Sequence, residues 1–395
     1  MSMVIDSELL SRASFTAITC GAMATSRISA MRDRAMRMMT ARFKAINPRG
    51  GHCNRGTLRA SRYHLVVGTE TGHGYRRMKT ERAFEWSVAI LSSRESFEVL
   101  RSTIAAAITA CGTENAVIDV VINGNERLAE QAASFAQSSQ QNHTAPGLRV
   151  WSISCADKSN AWNLHVHHIE PHAEIAFFVD GYAQVMPDAF TLIAGLLRDK
   201  PSAYSATGVP TCGRSAAKLR ASLLTKGGIH GNLYALRRSV MDEFRRTGFH
   251  LPIGMYRTDA LVGAVLCFDF DPTRNKWNAE VLSVHPDATW QTPERKIINI
   301  KDVLGYIKRM RRQGRGVLVN EALKKYLFAY ECPPQDLPEF ADDLIMTWAR
   351  SSKRQVASLC VRNFLCVPAL VAAYRGRDFP FVEEPPHMLI AVGRV

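Results

Sequence analysis

Three short polar clusters follow apolar runs in this chain, and they are the places where it could do chemistry. Residues 92–95, with Ser92 and Glu95, follow the run 87–91; residues 123–125, opening on Asn123, follow 117–122; residues 180–183, opening on Asp180, follow 175–179. If the runs are parallel strands, these hydroxyls, amides and carboxylates lie where such sheets bind ligands, beyond the carboxyl ends of the strands. Asp180-Gly181 is also ordinary turn chemistry. Asp259, behind Thr258 and ahead of an apolar run, fits a helix start. Lys308, Arg309, Arg311, Arg312 and Arg315 crowd into eight residues, which by default is a solvated helix face. His165, His167, His168 and His172 read as a helix end rather than a metal cluster, because Pro171 interrupts the helix and only Glu170 offers a matching carboxylate.

The elements that would position these groups alternate. Apolar runs at 87–91, 117–122, 148–153 and 175–179 read as buried strands. Between them, 97–110, 126–137 and 159–169 read as helices, the first with apolar Phe97, Leu100, Ile104 and Ile108 on one face. Strands and helices at this spacing imply an α/β fold, a mostly parallel sheet with helices on both faces and right-handed crossovers.

Composition narrows the classes. The chain has 395 residues, 46% of them apolar, and a net charge of +14. Residues 1–85 hold 15 of the 50 basic residues but only 6 of the 36 acidic ones, so about two thirds of the excess sits in that leader. The leader reads as a poorly ordered extension or sequence upstream of a later start. A nucleic-acid partner is not expected, since the basic run at 308–315 has no interleaved aromatics. Nine scattered cysteines without a CxxC pair fit a reducing, cytoplasmic setting. No apolar run reaches 18 residues. The nearest, 356–374, reads as core or as a shallow contact with a membrane surface.

Taken in order, the motifs resemble those of family-2 glycosyltransferases with the GT-A fold, over roughly residues 86–316. Residues 86–95 are similar to that family's first strand and nucleotide-binding turn. Residues 120–125 are similar to its second strand. The stretch Asp157-Lys158-Ser159-Asn160-Ala161-Trp162-Asn163 resembles its Gly-Lys-x-x-Ala-x-Asn segment. Phe178-Val179-Asp180-Gly181-Tyr182, with Pro187-Asp188 beyond, resembles its Asp-x-Asp element and the helix after it. Residues 228–238 resemble the acceptor-side glycine-rich segment, 256–261 the Glu-Asp-x-x-Leu element, and 309–316 the later Arg/Gln-rich segment.

The resemblance implies transfer of a sugar from a nucleotide-diphosphate donor to an acceptor hydroxyl, with inversion and with help from Mg²⁺ or Mn²⁺. It implies Asp259 as the base. It implies donor contacts from Ser92, Glu95, Asn123, Lys158, Asp180, Arg309 and Arg312, acceptor contacts from His230, Gly231 and Asn232, and metal ligation by Asp180 and His285. Tyr182 stands where the family's second Asp would be, and Thr258 where an acid would precede the base. The expected organisation is a leader over 1–85, a catalytic domain over 86–300 and a helical region over 301–395. The acceptor is a saccharide or lipid-linked hydroxyl, with peripheral contact at the inner face of the membrane. The other readings are a catalytically inactive nucleotide-sugar-binding module and a nucleic-acid-binding protein.

Overall fold

The computed structural model describes residues 84–138, 146–213, 216–293 and 300–393, with the backbone alone for 300–309. The expectation for 1–85 therefore falls almost wholly outside the described residues.

A nine-stranded sheet runs through the fold. Strands β1 (Trp86–Ser92), β2 (Ala116–Asn123), β3 (Gly147–Ile153) and β4 (Ile175–Asp180) form a parallel block in the order β4-β1-β2-β3. Strands β1 and β2 are buried along their whole length, which is why they read as nearly continuous apolar runs, whereas β3 alternates, with Arg149, Trp151 and Ser152 half-buried. Helices α1 (Phe97–Cys111), α2 (Glu126–Ser138) and α3 (Lys158–Leu164) make the crossovers. Helix α1 turns Leu100, Ile104, Ala107 and Ala110 inward. The third expected helix, 159–169, is a short α-helix followed by a π-turn over His165–Ile169.

The flanks depart from a parallel sheet. Beyond β4 come β7 (Leu233–Arg237), β6 (Ser205–Pro210), β8 (Leu282–Gln291) and the two-residue β5 (Gln184–Val185). Strand β7 runs antiparallel to both β4 and β6, and β5 is antiparallel to β8. Helices α4 (Ala189–Asp199), α5 (Ala216–Lys226), α6 (Arg238–Thr247) and α7 (Thr258–Cys267) complete this half.

The C-terminal region is mostly helical, as expected: α8 (Ile300–Lys324), α9 (Ala341–Ser351), α10 (Lys353–Arg362) and α11 (Cys366–Arg375). It ends differently, in β9 (His387–Val392), which returns to pair antiparallel with β3 at the sheet edge. No described helix is long and apolar enough to cross a membrane.

Aromatic rings fill both sides of the sheet. Trp86, Phe177 and Phe190 pack on one side, with the two Phe rings 4.5 Å apart. Trp162, Phe178, Phe244 and Tyr234 pack together elsewhere, and Trp162 donates from Nε1 to the Tyr234 hydroxyl at 2.9 Å. A charged network interrupts this core. Asp119, fully buried in β2, accepts two bonds from Arg149 at 2.7 and 2.9 Å and one from Trp151 Nε1 at 2.9 Å, and lies 3.4 Å from His165 Nε2. Burial pushes the Asp119 carboxyl up, but the hydrogen bonds from His165 and Arg149 outweigh it and hold its pKa low.

His167 stacks on His250 with ring centroids 4.1 Å apart and meets the Phe249 carbonyl at 2.8 Å. Burial, followed by the neighbouring His250, lowers its pKa from 6.5 to about 4. The folded state therefore binds fewer protons here than the unfolded chain. The stabilisation is fully present above 6.5 and is lost as pH falls toward 4. Thermal melts across that range should show a steady fall in midpoint, and His167→Phe should lessen it. An unchanged slope in the variant would remove His167 from the account.

Candidate active site

The parallel register brings the polar clusters to one level. Leu91 pairs with Asp180 and Ser92 with Ile122, so the ends of β1, β2 and β4 finish together. The turns are tightly packed. A Cβ at Gly181 would lie 2.6 Å from the Ser92 Cβ, and one at Gly124 would lie 2.3 Å from the Ala156 Cβ. Gly124 also has φ +65, so glycine is required there on both counts.

Three charged side chains converge over the Gly231 backbone. Lys158 Nζ forms an ion pair with Asp180 Oδ1. Asp259 Oδ2 accepts the Gly231 N–H at 2.9 Å, and Asp259 Oδ1 accepts the Ala260 N–H at 3.0 Å. A Cβ at Gly231 would stand 3.4 Å from Lys158 Nζ, 3.5 Å from Asp259 Oδ2 and 3.7 Å from Asp180 Oδ2. Burial works against the Lys158 ammonium, but Asp180, then Asp259 and Glu95, outweigh it, so its pKa is raised and it stays charged. Asp259 occupies the first turn of α7, where the helix dipole favours a carboxylate.

The segment carrying Lys158 holds the site together. Asp157 caps α3, accepting from the Ser159 and Asn160 N–H groups at 2.9 and 3.1 Å. Asn163 pairs with the Leu251 backbone in both directions, donating at 3.0 Å and accepting at 2.8 Å. One short helix thus ties the Asp180 strand end to the loop that leads into α7 and Asp259.

The other expected donor residues shape the loops. Glu95 accepts from the Ser92 hydroxyl at 2.7 Å and from the Ser93 and Arg94 N–H groups at 2.8 and 2.9 Å. Burial opposes its charge, but these bonds prevail and its pKa is lowered. Asn123 is buried, with its amide nitrogen 2.8 Å from the Ser92 carbonyl and its amide oxygen 3.1 Å from the Asp157 N–H.

Among the residues expected to meet the acceptor, His230 stacks on Trp290 at 5.1 Å, and its Nδ1 accepts the Asn232 N–H at 3.2 Å. Burial lowers its pKa, although Asp259 and Asp180 pull the other way. The neutral imidazole therefore carries its proton on Nε2 as a donor. Asn232 itself is buried.

Tyr182, in place of the second Asp, donates its hydroxyl to Asp180 Oδ2 at 2.9 Å. His285 Nδ1 caps a turn in β8, accepting from the Asp287 and Ala288 N–H groups, both at 3.1 Å, and makes no bond to Asp180. Among the described residues, no three His, Cys, Asp or Glu side chains gather to hold a metal ion. A preassembled metal site does not fit these donors. Asp180 is the carboxylate at this strand end, and its two oxygens meet Lys158 and the Tyr182 hydroxyl.

Arg312 is half-buried on α8, and the Arg309 side chain lies outside the described residues. A third arginine of the run, Arg315, was not singled out from sequence. It is buried, donates from Nε to the Gly254 carbonyl at 3.1 Å and pairs with Asp342, while Arg377 reaches the same carbonyl at 2.9 Å. These arginines fix the loop before Asp259. The flanking glycines were the available signal: a Cβ at Gly314 would meet the Leu365 carbonyl oxygen at 2.3 Å, and one at Gly316 would meet the Tyr256 ring at 2.7 Å.

No family model matches the chain, and no curated protein matches it. Among solved structures, it is similar to a mannosyltransferase from Pyrobaculum calidifontis in complex with GDP-mannose and Mn²⁺. The identity is 15% and the TM-score 0.43, over 74% of this chain and 86% of that one. It is also similar to glucosyl-3-phosphoglycerate synthase from Mycobacterium tuberculosis with Mn²⁺, UDP-glucose and phosphoglyceric acid, at 15% identity and TM-score 0.35, over 58% and 78%. At this distance neither likeness carries a residue role.

Proposed function

We propose that this protein is a glycosyltransferase that moves a sugar from a nucleoside-diphosphate donor to an acceptor hydroxyl with inversion. The observation that carries the reading is the meeting of Lys158, Asp180 and Asp259 at the Gly231 backbone, on the carboxyl edge of a parallel sheet. The motif order, similar to that of family-2 enzymes, supports the same assignment.

The Asp259 carboxylate takes the proton of the acceptor hydroxyl as that oxygen attacks the anomeric carbon. The bond from that carbon to the phosphate oxygen breaks, and the diphosphate leaves with the electron pair. Lys158, held by Asp180, puts a positive charge beside the departing oxygens. His230 offers its Nε2 proton to an acceptor oxygen. A divalent ion, when bound with the donor, would add Lewis-acid stabilisation of the diphosphate, with Asp180 as its protein carboxylate.

A thermal-shift screen of nucleoside diphosphates, with and without Mn²⁺, tests the reading. At least one diphosphate should raise the melting midpoint, and Mn²⁺ alone should leave it unchanged. No shift with any diphosphate, or an equal shift from Mn²⁺ alone, contradicts it. The Tyr182–Asp180 bond also favours a second reading, a module that binds nucleotide sugars without turnover. That reading requires binding with no donor consumed in the presence of any hydroxyl acceptor.

A further inference from the structure

Residues 377–379 lie past α11 and well past residue 316, where the motif resemblance ends. They nevertheless meet the loop that leads into Asp259. Gly254 of that loop has φ +83. A Cβ there would overlap Arg377 Nη2 and stand 2.6 Å from Phe379 Cζ, so glycine is what lets the segment lie this close. Arg377 donates from Nη2 to the Gly254 carbonyl at 2.9 Å and from Nε to Asp342 at 3.2 Å. Its guanidinium lies 4.7 Å from the centroid of the Phe379 ring, and Phe379 stacks on Phe340 with centroids 6.0 Å apart. Phe340 is seated beside the same loop, because Ile253 donates to the Glu339 carbonyl at 2.7 Å and accepts from the Ala341 N–H at 2.9 Å.

Stability alone asks little of Arg377. Its side chain is exposed. Asp342 is buried but is also paired with Arg315, and the Gly254 carbonyl also accepts from Arg315 Nε at 3.1 Å. Removing Arg377 therefore leaves neither group without a partner. What goes is the second anchor on a carbonyl that lies shortly before the first turn of α7, where Asp259 stands. The Lys158 arm does not depend on that anchor, since Asp157 keeps the Ser159 and Asn160 N–H groups at 2.9 and 3.1 Å.

We propose that Arg377 is a positioning residue for the transfer reaction: by holding the Gly254 carbonyl against Asp342 and Phe379, it sets where the Asp259 carboxylate stands. The proposal rests on the assignment of Asp259 as the base. Arg377 acts through the loop rather than on a substrate, so its loss reads out in turnover and not in donor binding. The C-terminal segment thereby becomes part of the catalytic machinery.

The test is release of nucleoside diphosphate from UDP- and GDP-hexoses by the full chain, with water or a screened saccharide as acceptor. Arg377→Met should lower kcat about tenfold to a hundredfold while the donor KM stays within about twofold of wild type. In an Asp259→Asn background the same change should cost little more, because it acts through that carboxylate. A residue that only supports the fold would lower the rate equally in both backgrounds. Should the methionine variant not fold, Arg377→Lys keeps a cation beside Asp342 but not the fork that also reaches the carbonyl, and the same split is expected of it. A kcat within about twofold of wild type, or equal losses in the two backgrounds, overturns the proposal and leaves the transfer reading intact. No diphosphate release by wild type from any of these donors overturns that reading and this proposal with it.

Discussion

Asp259→Asn is expected to lower the turnover of the proposed sugar transfer by about a hundredfold to ten-thousandfold, the range for removal of a positioned general base. The amide keeps the shape of the side chain but cannot take the acceptor proton. It also loses one of two acceptors, because Asp259 receives Gly231 N–H on one oxygen and Ala260 N–H on the other. That loss costs about 1 kcal/mol of stability, far too little to explain the fall in rate. Donor affinity, which the proposed function assigns to the Asp180–Lys158 side, should stay near wild type. Steady-state rates at saturating acceptor, with a parallel donor titration, separate the effects. Near-normal turnover in the variant would remove Asp259 as the base.

Arg149→Met should destabilise the fold by about 3–5 kcal/mol, the usual consequence of leaving one partner of a buried ion pair alone. Asp119 lies under the sheet with no exposure, and Arg149 supplies two of its hydrogen bonds as well as the nearest positive charge. Without Arg149 only Trp151 and His165 remain beside the carboxylate. Denaturant unfolding of the two proteins measures the difference. A change below about 1 kcal/mol would mean that water or rearrangement satisfies Asp119, and that the network is not holding β2 to β3. Asp119→Asn combined with Arg149→Met should recover part of the loss, because the uncompensated charge is then gone.

The parallel block was legible because β1, β2 and β4 are almost wholly buried and so become nearly unbroken apolar runs, with β3 alternating beside them. The strands at 86–92, 116–123, 147–153 and 175–180 match the sequence reading to within a residue or two at each end. Asp180 at a strand end followed from the same logic. The antiparallel flanks were not legible, since β7 and β9 take their direction from partners far along the chain, and β9 is mostly exposed at an edge. Lys158 and Asp180 were both named, but their pairing joins residues 22 apart across a crossover and needed the fold. Asn163 was visible only as a motif letter, and the Leu251 backbone it grips lies 88 residues away. Tyr182 was read as a missing acid, whereas in the structure it donates to the acid that remains. Arg315 was hidden inside a run whose charge suggested solvent. Its buried partners come from a loop and a helix that composition cannot place beside it.

The central claim is that the Lys158–Asp180 pair receives the diphosphate of a nucleotide donor. Calorimetric titration of wild type and Lys158→Met with the nucleoside diphosphate that most stabilises the protein tests it most directly. Removing one charge-assisted contact should weaken binding by about tenfold to a hundredfold; the melting midpoint of the free protein should also fall, because Asp180 is left with only the Tyr182 hydroxyl beside it, so affinities are compared at a temperature where both proteins are folded. Equal affinity in the two proteins, or no diphosphate binding by wild type, would contradict the account.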